Sequence, residues 1–101
     1  MKTHKISVTV DQSSIKVTPD PLVMTRADEV HWAGQNARKF SIEFDGASPF
    51  GSRQLKHAEA TSKQKPGSKG RFKYSVVSEE NPSLRLDPEI IIEDPPTSPN
   101  P

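Results

Sequence analysis

Apolar residues in this chain recur at every second position, and that period of two fits half-buried β-strands far better than helices. Ile6, Val8 and Val10 share one face of a first strand, with Ser7 and Thr9 on the other. Ile15 and Val17 begin a second, after the polar turn Asp11-Gln12-Ser13-Ser14. Leu22-Val23-Met24 reads as extended chain, and Val30 and Trp32 point inward from a strand that His31 leaves on its outer side. The clearest alternation sets Phe40, Ile42 and Phe44 against Lys39, Ser41 and Glu43. Phe72, Tyr74 and Val76 repeat the pattern, Leu84 and Leu86 follow, and Glu89-Ile90-Ile91-Ile92-Glu93 closes the ordered part. Proline punctuates these runs: Pro19 and Pro21 bound one strand, and Asp87-Pro88 kinks the chain before the last. Seven to eight short strands at this spacing spell an all-β sandwich. The expected core is Ile6, Val8, Val10, Ile15, Val17, Val30, Trp32, Phe40, Ile42, Phe44, Phe72, Tyr74, Val76, Leu86, Ile90 and Ile92.

A chain of 101 residues is one domain's worth. The sandwich is expected over residues 4–93, and 94–101, with four prolines in DPPTSPNP, as a disordered Pro-rich tail. Residues 46–70 carry few apolar groups and read as a long loop, with a helical turn near Arg53 to Ala60. There is no cysteine, so no disulfide framework and no thiolate chemistry. No apolar run approaches the ~20 residues that span a bilayer. The start MKTHKISVTVDQ lacks the apolar stretch of a signal peptide, and a cytoplasmic location is the default expectation.

Several segments, taken in order, resemble the cupredoxin-like family, whose best-known members are blue-copper proteins. ADEVHW resembles the family's GDxVxW, RKFSIEFD its HxVxFD, and GRFKYSVV its GxYxYxCxxH. LDPEIII is similar to the closing strand of small bacterial members that lack copper. The resemblance runs from about residue 5 to 93 and implies a Greek-key β-sandwich. It also places Phe40 where the first histidine ligand would stand, and Val76 where the cysteine would. Downstream, Val77-Ser78-Glu79-Glu80-Asn81-Pro82 supplies no histidine or methionine. Blue-copper chemistry needs imidazoles and a thiolate, so the resemblance implies a fold without that activity, and no cofactor is expected.

Other chemistry is sparse. None of the GxSxG, P-loop, GxGxxG or HExxH patterns occurs, and the chain is not expected to be an enzyme. His4, His31 and His57 are widely spaced; a non-blue copper or zinc site at His57 with Glu59 is one alternative function. Net charge is only +1, but its distribution is uneven. Seven basic residues against Glu59 alone lie between Arg53 and Lys73, whereas six acidic residues against Arg85 alone lie between Glu79 and Asp94. Such segregation could steer an anionic partner, and Lys63, Lys65, Lys69 and Arg71 are the candidate contacts for weak nucleic-acid or polyanion binding. Within the loop, Ser48-Pro49-Phe50-Gly51 is an apolar element in polar surroundings, where Phe50 is either tucked under the loop or offered as an anchor. The leading expectation is a non-enzymatic, copper-free binding or accessory module contacting an unknown protein partner through Phe50, Arg53, Lys56 and His57. Pro19 and Pro21, with Lys2, Lys5 and Lys16, are expected to guard exposed sheet edges and favour a monomer.

Overall fold

A computed structural model describes residues 2–36 and 38–95. The strands are β1 (Thr3–Val10), β2 (Ile15–Thr18), β3 (Leu22–Thr25), β4 (Glu29–Gly34), β5 (Phe40–Phe44), β6 (Gln54–Leu55), β7 (Gly70–Ser78), β8 (Arg85–Leu86) and β9 (Glu89–Glu93), with one short helix, α1 (His57–Ala60). Nine strands form where seven to eight are expected: the Leu84 and Leu86 segment contributes β8, and β6 adds a strand that is two residues long and too brief to alternate.

The strands form two sheets. One has the order β2-β1-β4, the other β3-β9-β7-β5-β6, with β8 paired to β7. β1 and β4 run parallel, as do β3 and β9, while β5, β7 and β9 pair antiparallel. The chain passes repeatedly from one sheet to the other, as a Greek-key sandwich requires. Asp45-Gly46 ends β5, with Gly46 at φ +93°, a conformation that glycine adopts without strain.

Between the sheets lie Ile6, Val8, Val10, Val30, Trp32, Phe40, Ile42, Tyr74, Val76 and Ile90, none more than 1% exposed. Of the expected core, Val17, Phe72 and Leu86 are only partly buried and pack against it. Leu22, Met24, Leu55 and Ala60 join it, and Val77 is buried on the opposite face of β7. His31 is half-buried on the outer face of β4, with Nδ1 shielded and unpartnered among the described residues.

The edge expectation needs correcting for two lysines. β1 is the middle strand of its sheet, paired to β2 and β4, so Lys2 and Lys5 guard no edge. Lys16 does lie on an edge strand, and Pro19 and Pro21 lead into another. The start of β1 is instead fastened by Asp28, which is buried in the turn before β4. Its carboxylate accepts the Lys2 N–H (3.0 Å), the Thr25 N–H (3.1 Å) and a hydrogen bond from His4 Nε2 (3.0 Å). The His4 bond above all, then the two backbone N–H groups, hold the Asp28 carboxyl well below the usual carboxylate range, outweighing the opposing effect of burial.

Asp94, after β9, bridges Arg26 (2.6 Å) and Lys69 (2.9 Å) at the surface. The Lys69 hydrogen bond is the main reason its carboxyl is also lowered. Pro96 onward, most of the expected tail, lies outside the described residues.

Candidate functional site

The 46–70 segment decides what the two ends of β5 look like. It is folded, not free: β6 pairs Leu55 with Ile42 and Gln54 with Glu43, and Gln64 bridges to Val30 on the open side of β4. The expected helical turn is α1.

At the Phe40 end, α1 closes the sandwich. Ala60 is fully buried, and the His57 ring meets Phe40 edge-on, with centroids 4.8 Å apart. Phe40 N–H donates to His57 Nδ1 at 3.2 Å, so a neutral His57 carries its proton on Nε2. Phe40 and Val76 are both fully buried. Neither side chain has a donor atom, so the positions that the resemblance aligns with copper ligands do not fit that metal. Nor do three or more His, Cys, Asp or Glu side chains gather as a metal cluster among the described residues.

The His57 with Glu59 pairing fails on geometry. Glu59 Oε1 turns back to accept the Lys56 N–H at 3.1 Å, and residues two apart on a helix face different ways. His57 is turned toward Phe40 instead.

At the Phe44 end the cover is aromatic. Phe50 stands edge-on to Trp32 (6.0 Å, 87°) and tilted to Phe44 (5.7 Å), while Tyr74 contacts both Trp32 (5.5 Å) and Phe44 (5.6 Å). Phe50 is therefore tucked. Trp32 Nε1–H donates to the Tyr74 hydroxyl at 3.3 Å. Burial pushes the Tyr74 phenol far above its ordinary range, with the Trp32 bond opposing only in part, so it stays protonated.

Phe50 and His57 thus serve opposite ends of β5, roughly 13 Å apart at about 3.3 Å per residue. Arg53 and Lys56 lie between them and are exposed. Both line recesses on the outer face of the sheet. One, of about 420 Å³, is bordered by Arg53, Lys73, Arg85, Asp45 and Asp87; the other, of about 350 Å³, by Lys56, Gln54, Ser41, Val77, Ser78 and Pro82. Glu43 belongs to both, and its pair with Arg85 (3.0 Å) crosses β7 between them. Sequence reasoning misses Glu43 and Arg85: their outward phase is legible, but their meeting depends on a β7–β8 register that no local pattern reveals.

The basic stretch is partly neutralised by the fold. Because β7 pairs with β9, Arg71 reaches Glu89 (3.3 Å), and Lys69 reaches Asp94. Charges segregated along the sequence come to face one another. Lys63 and Lys65 remain exposed and join none of the ion pairs among the described residues.

Neither a protein-family model nor a curated protein sequence matches the chain. Solved structures do. A pseudoazurin from Sinorhizobium superposes with a TM-score of 0.65 at 13% identity, over 94% of this chain and 76% of that one. A point mutant of amicyanin in its reduced Cu(I) form gives 0.53 at 18% identity, over 88% and 82%, and a second amicyanin mutant gives the same values. The fold is cupredoxin-like. At such identities the likeness extends to the sandwich and no further. No helix among the described residues is long and apolar enough to cross a membrane.

Proposed function

We propose that this cupredoxin-like sandwich is a non-enzymatic, copper-free binding or accessory module that engages a protein partner through the rim built by residues 46–70. The observation that supports it most is the exchange of roles at the Phe40 end. Two positions aligned with metal ligands are filled by fully buried Phe40 and Val76, and His57 of α1 packs on Phe40. The same segment then presents Arg53 and Lys56 beside open recesses, where a partner's acidic or polar groups can reach them. Phe50 and His57 shape that rim from below.

The module works as a monomer. β6 offers only two residues of edge, Gln64 bridges to the edge of β4, and the Thr25 N–H on β3 is taken by Asp28.

The test is capture of partners by the tagged protein from its native lysate, with low-salt and then high-salt washes. A polypeptide that survives high salt, is lost with Arg53→Glu and Lys56→Glu, and is kept with Lys63→Glu and Lys65→Glu supports the proposal. Capture of nucleic acid alone, released by salt and lost with Lys63→Glu and Lys65→Glu, would replace it with weak polyanion binding.

A further inference from the structure

A cleft of about 540 Å³ opens between the start of β1 and the edge strand β3, far in the topology from the β6 rim. Its size falls within the range of small-molecule sites, and its lining is mostly apolar with a few convergent polar groups. Val23, Met24, Ala27 and Pro95 supply the apolar wall; Lys2, His4, Thr25, Asp28 and Glu93 supply the polar groups. Val23 is 50% exposed, and it is the one large apolar side chain so exposed among the described residues.

The charges of this cleft are left over from the fold. Asp94 takes both nearby cations, Arg26 and Lys69, so Glu93 beside it has no ion-pair partner among the described residues. The Lys2 ammonium has none either, although its backbone N–H is held by Asp28. Asp28 spends its carboxylate on Lys2, Thr25 and His4 and has little left to offer. The ionised carboxylate accepts the His4 Nε2–H, and in a neutral His4 this leaves the Nδ1 lone pair as an acceptor.

We infer that this cleft binds a small zwitterion with an apolar body, of the size of a free apolar amino acid. Its ammonium donates to Glu93 and His4 Nδ1, its carboxylate pairs with Lys2, and its side chain lies on Val23 and Pro95. A purely cationic or anionic ligand would satisfy only one of the two unpaired charges.

The experiment is a titration of the 15N-labelled full chain with L-phenylalanine, followed by amide chemical shifts. Saturable shifts confined to Val23, Met24, Ala27 and Glu93 are expected at millimolar ligand. Phenethylamine, which lacks the carboxylate, and 3-phenylpropionate, which lacks the ammonium, are each expected to bind at least about threefold more weakly, the scale of one exposed ion pair. Glu93→Gln is expected to erase the advantage of phenylalanine over 3-phenylpropionate, and Lys2→Gln its advantage over phenethylamine. Both side chains are exposed, so the fold survives either change. Absent or scattered shifts would overturn the proposal. So would equal binding of the three probes, which would reduce the cleft to an apolar dent.

Discussion

The two ends of β5 are both closed by the 46–70 segment, but with different chemistry. At Phe44 the closure is a group of four aromatic rings, in which Phe50 is one contact among several. At Phe40 it is a single imidazole laid against one ring and tied to one backbone N–H, over an apolar floor. The Phe44 end is covered by several rings in contact with one another. The Phe40 end is covered by fewer contacts, and Phe40 is a position that the sequence resemblance aligns with a metal ligand. The contrast teaches that one loop segment can close the two ends of a strand by different means, ring packing at one and a helical turn at the other.

The contrast can be broken by mutation. Phe40→Ala, at a fully buried site, should cost about 3–5 kcal/mol in denaturant unfolding. A loss under about 1 kcal/mol would mean that this end is not packed as described.

Asp28→Asn, outside both ends, should cost about 1–3 kcal/mol at neutral pH by weakening the clasp on β1. The folded pKa of Asp28 is depressed, so its stabilisation is complete above the ordinary value of about 3.9 and is lost as pH falls through the lowered one. The gap between wild type and variant, followed by unfolding at descending pH, should therefore stay constant down to about pH 4 and shrink only below it. A gap that closes already between neutral pH and about 5 would contradict the clasp.

Phe50→Ala should cost about 1–2 kcal/mol, less than Phe40→Ala, because the ring is only half-buried and its neighbours still touch one another. Equal costs would erase the distinction between the ends. His57→Ala should cost about 1 kcal/mol, with amide shifts confined to Phe40 and α1. At the small extreme, Lys63→Glu with Lys65→Glu should change stability by under about 0.5 kcal/mol.

Much of this fold is legible in the alternation of apolar residues. β1, β4 and β9 each bury one parity of residues, and β5 and β7 do so apart from Ser41 and Val77, so the inward placing of Ile6, Trp32, Ile42, Tyr74 and Ile90 follows from periodicity. β6 has no such signal, since two residues have no period; Leu84 and Leu86 do alternate, but the pairing of β8 with β7, like that of β6 with β5, is set by the sheet. Leu55 and Ala60 sit in a stretch too polar to suggest a core, yet each is buried because the loop folds back on the sandwich. The lysines at the start of β1 suggest an edge because charge there is a local cue, whereas strand order is not. At the candidate site, charge alone marks Arg53 and Lys56. Glu43 and Arg85 lie 42 residues apart in sequence, and only the sheet brings them together.

The proposal that the module is copper-free turns on the Phe40 end being packed core. One equivalent of Cu(II) added to the protein, followed by visible absorption and amide line-broadening, tests it directly. The expected result is no stoichiometric absorption band and no broadening localised to Phe40, Val76 and His57. A band that saturates at one equivalent, with broadening confined to those three residues, would contradict it.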